Sequence, residues 1–186
     1  MKVSDIIASA LALIGRKELV PYVSNPSAAG DEDADEVIST LLYCFNSVED
    51  EIARNYIPLV VCEEMTSANN KFAYADFKKI PVKIKKVTKD GQAVPFKVLK
   101  GYMEVKASRI TVEYEYVPGR KKIADDSDFG CEVGEYLIAL GMASEYCIIN
   151  CEAEMADRWE KKYRERLDEA RSTLPVCASI PPRRWV

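Results

Sequence analysis

The chain has 186 residues and a formal net charge of −4, and 48% of its residues are hydrophobic. A chain of this length and composition buries a substantial core as one domain, which excludes global disorder. The acidic balance does not indicate a nucleic-acid binder, and no apolar run approaches the roughly 18 residues of a membrane span. Because the first residues lack the pattern of a signal peptide, we expect a protein that is made and kept in a cytoplasm.

Helical periodicity predicts two helices in the N-terminal part of the chain. Apolar residues recur at i, i+3, i+4 and i+7 from Val3 to Ile14, which predicts a helix over residues 3–16. Residues 17–30 are typical of a surface loop, and a second helix is predicted over residues 31–56. This second helix begins with an acidic cluster, Asp31, Glu32, Asp33, Asp35 and Glu36. The helix dipole favours negative charge there, and a metal site or a docking patch is the alternative interpretation of the cluster.

The stretch from Lys78 to Val117 alternates with period two, which predicts a small antiparallel β-meander inserted between helical segments. The predicted strands lie near residues 80–88, 92–99, 102–106 and 109–117. Lys89–Gln92 supplies the first turn, because Asp-Gly tolerates the positive φ of a tight hairpin. The run Leu59–Cys62 is too short to be assigned as strand or helix, and residues 69–77 are typical of an ordered loop.

The β insert and the residues just after it concentrate positive charge. Between Lys78 and Ala124 there are 13 Lys or Arg residues and 4 Asp or Glu residues, a local charge of +9. Such a segregated charge steers a partner or a neighbouring copy of the chain, or it protects strand edges against aggregation. The candidate basic surface consists of Lys83, Lys85, Lys86, Lys89, Lys97, Lys100, Arg120, Lys121 and Lys122.

Two further helices are predicted in the C-terminal half. Residues 131–150 are apolar on most faces, which predicts the central helix, and the acidic residues Asp125–Asp128 are interpreted as its cap and turn. Residues 152–173 form an amphipathic helix with one apolar stripe that contains Trp159 and Tyr163. We expect this stripe to pack on the central helix, with a docking face as the alternative.

The last residues, 174–186, contain three prolines and end in Arg-Arg-Trp-Val, so they cannot continue a helix. Trp and Arg are enriched in interface hot spots, which favours an extended arm that docks on another subunit, with simple disorder as the alternative. The predicted fold class is therefore α+β: mainly a bundle of about four helices over residues 1–173, with an inserted small antiparallel β-meander at 78–117 and an extended C-terminal arm.

No constellation of catalytic or metal-binding residues is evident. The chain has no histidine, no Gly-rich phosphate loop, and six scattered cysteines that we interpret as small buried apolar residues. Cys147 and Cys151 share a helical spacing, but no second cysteine pair completes a zinc set. We therefore expect an interaction protein, without catalytic residues, metal or cofactor.

The order of the segments resembles a known family. The N-terminal helix ends in Ala12-Leu13-Ile14-Gly15, and the later helices contain Leu140–Tyr146 and Ala156–Tyr163. With the lysine-rich meander and the terminal Arg-Arg-Trp, this pattern resembles the head-to-tail adaptor (connector) proteins of tailed bacteriophages. The resemblance covers nearly the whole chain.

The resemblance implies a virion protein of the neck, arranged as a ring of twelve copies beneath the portal protein. Such a ring extends the DNA channel without sequence-specific DNA contacts, and it presents a surface to tail or stopper proteins. The arm residues that the resemblance places on the portal are Ile180, Pro181, Pro182, Arg183, Arg184, Trp185 and Val186.

Two other functions stay open at this point. The basic insert is compatible with a nucleic-acid-binding module, which would bind DNA with steep salt dependence. A small enzyme without histidine would require a deep pocket lined by convergent carboxylates.

Overall fold

A computed structural model describes residues 1–24 and 32–173 of the chain. These residues form an α+β fold with five α-helices and two antiparallel sheets. The helices form one layer with its own core, and the strands form a small β-sandwich with a second core. The candidate surfaces lie on the sandwich and at its junction with the helices.

The helical layer is assembled around one central helix. Its members are α1 (Val3–Leu13), α2 (Val20–Ser24), α3 (Glu32–Glu51), α4 (Glu135–Ile149) and α5 (Ala153–Thr173). A π-helical turn, Ile52–Tyr56, continues α3. Helix α4 contacts α1, α3 and α5, and its residues 137–144 are all buried, as expected from a helix that is apolar on most faces.

The close packing of α4 explains its internal glycine. A Cβ atom at Gly141 would lie 2.8 Å from Val48 Cγ1 and 3.0 Å from Tyr163 Cε2. Only glycine therefore lets α3 and α5 approach α4 this closely without a shift of their side chains. The apolar stripe of α5, which includes Trp159, Tyr163 and Leu167, is buried in the same core, so the prediction that it packs on the central helix is confirmed.

Seven strands form the sandwich. They are β1 (Leu59–Thr66), β2 (Lys71–Ala73), β3 (Pro81–Lys89), β4 (Gln92–Ala93), β5 (Phe96–Leu99), β6 (Tyr102–Val105) and β7 (Arg109–Tyr116). The first sheet has the order β1-β7-β3-β4, and the second has the order β2-β6-β5. The predicted turn after β3 is confirmed, because Asp90 and Gly91 both have positive φ values.

The two sheets enclose the second core between their inner faces. Residues Ile110, Val112 and Tyr114 of β7 face inward, as their alternation predicts, and they pack with Phe72 and Met103 of the second sheet. The prediction that the tyrosines of this strand belong to the core is confirmed for Tyr114, which is fully buried. Burial and a hydrogen bond to Glu63 raise the pKa of Tyr114 to about 12.

The predicted fold class, a bundle of about four helices with a small inserted meander, is wrong. The β region begins at Leu59 rather than Lys78, and it forms two sheets in which β1 pairs with β7 over eight residue pairs. The alternation of β1 is masked because a carboxylate, Glu63, occupies one of its inward positions. Its burial is possible since Tyr114 Oη and the backbone N–H of Lys78 donate hydrogen bonds to it, at 2.8 and 3.2 Å.

Two local predictions are also wrong. Residues 17–24 are not a loop: a 3₁₀ turn and α2 bury Leu19 and Val23 against α1. Residues Asp125–Asp128 do not cap the central helix, which begins at Glu135. The backbone of Asp126 instead forms an isolated antiparallel β-bridge with Lys2, and Asp128 lies at the junction between the two layers.

Candidate functional site

One side of the β-sandwich leaves its core uncovered. Residues Pro81, Val82 and Ile84 of β3, together with Val98 of β5 and Tyr74, line a groove of about 290 Å³ between the two sheets. Ile84 and Val98 lie at inward-facing register positions, opposite Tyr114 and Met103 respectively. We call this surface the open side, because the inner faces of both sheets reach solvent there.

The open side exposes large apolar side chains at its rim. Ile80 is 73% exposed and Val98 is 62% exposed, and Val82 and Leu99 are exposed beside them. Single exposed apolar residues are ordinary on protein surfaces, but a contiguous group that continues into a groove is typical of an interaction site. Tyr74 adds a buried hydroxyl group without a hydrogen-bond partner in the described chain.

Lysines surround this apolar groove. On the outer face of the first sheet, Lys83 and Lys86 lie opposite Glu115 and Glu113 of β7. Lys85 forms an ion pair with Glu115 at 3.2 Å. On the second sheet, Lys97 and Lys100 are exposed, and Lys97 lies opposite Glu104 of β6. The groove is therefore lined mainly by apolar residues together with Lys83, and the neighbouring lysines of both sheets face glutamates on the adjacent strands.

The opposite side of the sandwich has the reverse character. There β1 and β2 flank a second groove of about 300 Å³, whose charged lining residues are Glu63, Glu64, Asp76 and Lys71. Glu64 is exposed and pairs with Arg109 at 2.8 Å, whereas Glu63 is buried. We call this surface the acidic side. The sandwich thus carries two grooves of different character, an apolar one beside β3 and β5 and a charged one beside β1 and β2.

A polar junction fixes the sandwich to the helical layer. The Asn46 amide of α3 clamps the backbone of Lys121: the Lys121 N–H donates to Asn46 Oδ1 at 2.6 Å, and Asn46 Nδ2 donates to the Lys121 carbonyl at 3.2 Å. Lys121 Nζ pairs with Asp128 at 2.7 Å, and both side chains are only 13% exposed. Lys79 reaches the same carboxylate at 3.1 Å. Although burial opposes it, these two ammonium groups lower the pKa of Asp128.

A buried carboxylate completes the junction. Glu49 of α3 is 1% exposed, and its Oε1 accepts hydrogen bonds from Ser127 Oγ at 2.6 Å and from the Asp128 N–H at 2.9 Å. Its Oε2 has no hydrogen-bond partner in the described chain. Burial raises the pKa of Glu49, because a charged carboxylate loses its hydration there. The junction thus links the start of β3, through Lys79 and Asp128, to helix α3.

The predicted basic residues do not form one surface. Lys83, Lys85, Lys86, Lys97 and Lys100 are exposed on or near the open side, and Lys89 is exposed at the turn after β3. Arg120 and Lys121 instead line a groove beside α3, where Lys121 is tied to the junction rather than displayed, and Lys122 is exposed next to them. The predicted arm, residues 180–186, lies outside the described residues.

The described part of the chain offers little for catalysis or metal binding. Cys44 and Cys147 are buried as predicted, but Cys62, Cys131 and Cys151 are exposed, so the interpretation of all the cysteines as buried residues is wrong. Burial raises the pKa of Cys44 to about 12, which makes its thiol inert. Among residues 1–24 and 32–173, no group of three potential metal ligands converges and no helix is long and apolar enough to cross a membrane.

The sequence interpretation missed the apolar residues of the open side. A signal for them exists: Val98 and Leu99 are adjacent apolar residues in an alternating strand, so one of them must face outward. Ile80 and Val82 flank Pro81 at the start of β3, where a proline indicates an edge. A scan against protein-family models and a search of curated proteins find no match to the chain.

Proposed function

We propose that this chain is a head-to-tail adaptor of a tailed bacteriophage, a structural protein of the virion neck that forms a ring beneath the portal. The ring would extend the DNA channel and dock tail or stopper proteins. The proposal rests on the order of segments in the sequence, which resembles such adaptors, and on one structural observation: exposed apolar residues of the open side continue into a groove, which is typical of an interaction site.

A ring requires a heterologous contact between copies. A two-fold dimer pairs the same patch on both copies, whereas a heterologous contact repeats from copy to copy and closes into a ring when the rotation allows it. The exposed apolar residues of the open side would supply one half of a contact with another protein of the neck.

The remaining parts of the chain have roles in this proposal. The arm at 180–186 would dock on the portal protein, because its Trp and Arg residues are typical interface anchors. Passing DNA would contact the ring through phosphate charges alone, without base recognition. No catalytic step, cofactor or metal belongs to this function.

Electron microscopy of particles or of purified portal complexes tests the proposal. The predicted result is a ring of this chain between the portal and the tail, with twelve copies as the expected number. Density for the neck that excludes this chain would overturn the function. Deletion of residues 175–186 should abolish portal association while the monomer keeps its helical content, and unchanged association would overturn the role of the arm.

A nucleic-acid-binding module is the second candidate, favoured by the exposed lysines of the open side. However, Tyr74 is the one aromatic residue in the lining of this groove, and the rings of Phe77 and Tyr114 pack against each other in the core, so the described residues show no row of exposed rings for base stacking there. A filter-binding titration separates the two functions. The module requires tight DNA binding that weakens steeply with salt, whereas the adaptor requires only weak binding.

A further inference from the structure

We infer that residues 176–180, which follow the last described helix, add as a strand to the free edge of β1 in the same copy of the chain. The inference goes beyond the proposed function, because it concerns a contact within one copy and needs neither a ring nor a portal. It fixes the base of the predicted arm on the sandwich and leaves residues 181–186 to project from there.

One edge of β1 has no partner strand in the part of the chain that the structure describes. In the first sheet β1 is the terminal strand, and it pairs with β7 over eight residue pairs without a register shift or a proline. Strand β3, towards the other edge of this sheet, begins with Pro81 and has two register shifts, features that hinder the addition of a strand. Strand β1 instead presents a long, regular edge of the kind that accepts an extended segment.

The backbone of β1 presents hydrogen-bonding groups at this edge. The Ser67 N–H donates to the Ser108 carbonyl at 2.8 Å, and this pair continues the register of β1 with β7. In an antiparallel ladder, such hydrogen-bonded pairs alternate with pairs whose N–H and C=O groups point away from the partner strand. The residues of β1 whose backbone groups point to the free edge are therefore Val60, Cys62, Glu64 and Thr66.

The groove of the acidic side can take the inward side chains of an added strand. Met65, at a buried position of β1, lines this groove of about 300 Å³ together with Phe72 of β2. Apolar side chains placed over these two residues would extend the second core and leave water. On the outer face of the sheet, Cys62 and Glu64 are exposed. The site therefore fits a strand that is apolar on one face and small or polar on the other.

Residues 176–180 have the pattern of such a strand. They alternate between apolar residues and small or polar ones: Val176, Cys177, Ala178, Ser179 and Ile180. An extended backbone places the three apolar residues on one face. Prolines flank the run at positions 175 and 181, so all five residues keep a backbone N–H for pairing. Residues 25–31, the other stretch outside the described residues, contain a proline and a glycine and show no such alternation.

The place where α5 ends favours the same copy as the source of the strand. Thr173, the last residue of α5, lines a groove together with Val133 and Gly134. These two residues follow shortly after Asp128, the carboxylate of the polar junction, so α5 ends on the side of the helical layer that faces the sandwich. Strand β1 begins on that side too, because α3 and its π-helical turn lead into Leu59. The chain thus leaves α5 at the end of the helical layer from which β1 starts.

Amide hydrogen exchange of the full-length protein, followed residue by residue by NMR, tests the added strand. The amides of Cys62 and Glu64 face the free edge, whereas those of Val61 and Met65 face β7 and report on the fold itself. The inference predicts that the first pair is protected in the full chain and exchanges about tenfold or more faster after deletion of residues 175–186, while the second pair is unchanged. Equal exchange of Cys62 and Glu64 in both proteins would overturn the inference.

Two matched double variants keep the chain at full length and test the faces of the strand. Val176→Asn with Ile180→Asn places amides over the groove, so it should release the Cys62 and Glu64 amides as the deletion does, because a polar group loses its hydration there. Cys177→Asn with Ser179→Asn puts the same side chains on the outer face and should leave their exchange close to that of the parent protein. Equal effects of the two double variants would contradict the assignment of the faces.

Thiol cross-linking identifies the copy that supplies the strand. With Cys131→Ser and Cys151→Ser in place, a short bismaleimide should join the exposed Cys62 to Cys177 within one monomer, because the added strand places both thiols on the outer face. Moving the thiol to the inner face, by Cys177→Ser with Ala178→Cys, should lower the yield about tenfold or more. Equal yields would show an undocked tail, and a dimer as the main product would show strand exchange between copies; either result would overturn the inference.

The outcomes separate this inference from the proposed function. A neck ring built from copies whose β1 edge exchanges freely would overturn the inference and leave the adaptor function standing. A protected β1 edge in a chain that is absent from the neck would overturn the function and leave the added strand standing.

Discussion

The helical layer surrounds its central element, whereas the β-sandwich leaves one end of its core uncovered. Helix α4 has α1, α3 and α5 packed around it, and eight consecutive residues of it are buried. In the sandwich, the inner faces of β3 and β5 reach solvent at the open side. The helical core therefore supplies stability, and the open side supplies an exposed surface for recognition. The polar junction connects the two regions.

The largest effect should come from truncation within the helical core. Phe45→Ala removes a fully buried ring and should lower the free energy of unfolding by about 3–5 kcal/mol, because it leaves a cavity. Tyr43→Ala on the same helix removes an exposed ring and should change it by about 0.5 kcal/mol or less. Urea denaturation measures both variants, and equal losses would contradict the closed character of this core.

Loss of the junction carboxylate should have the next largest effect. Asp128→Asn leaves Lys121 and Lys79 without their anion, and we expect a loss of about 2 kcal/mol at neutral pH from charge-assisted hydrogen bonds. The pKa of Asp128 is lowered in the folded protein, so its contribution is present above the ordinary Asp value and is lost as pH falls through the lowered pKa. The difference from the parent protein should therefore vanish in acid, and a constant difference would refute the ion pair's role.

The buried glutamate of the junction should behave with the opposite sign. The pKa of Glu49 is raised by burial, so the folded state holds a proton more tightly than the unfolded state does. The stability that Glu49 contributes to the parent protein should decline as pH rises from the ordinary pKa of Glu through the raised pKa of Glu49. Glu49→Gln removes this titration, so in denaturation curves the variant should gain stability relative to the parent protein as pH rises above the ordinary Glu value. A relative loss on raising the pH would contradict the raised pKa of Glu49.

The smallest effect on stability should come from the open side. Val98→Ser replaces an exposed residue, so the free energy of unfolding should change by about 0.5 kcal/mol or less. Met103→Ala, opposite Val98 in the same sheet but fully buried, should cost about 2–5 kcal/mol. Urea denaturation compares the two variants, and a large stability loss from Val98→Ser would place that residue in the core.

Periodicity alone was enough to predict the helices that form the closed core. The apolar spacing of α1, α3 and α5 and the nearly all-apolar α4 reflect local burial, and their positions agree with the structure within a few residues. The start of the sandwich was not predictable in this way, because Glu63 occupies an inward position in β1 and β2 has only three residues. Their pairing depends on contacts with β7 and β6 that are distant in sequence.

The candidate surface was only partly predictable for the same reason. Charge counting located the lysines of β3 and β5, since composition is a local property. Charge counting also included Lys121, whose ammonium group forms an ion pair with Asp128 at the junction. The acidic side could not be predicted, because Glu64 and Asp76 converge only after β1 and the turn at Tyr74–Asp76 are placed by the fold.

Cryo-electron microscopy of this chain assembled on its portal tests the central claim most directly. The account predicts a closed ring in which the groove lined by Val82 and Val98 of each copy is covered by a neighbouring protein of the neck. A ring in which these grooves stay exposed, or a neck without this chain, would contradict the account.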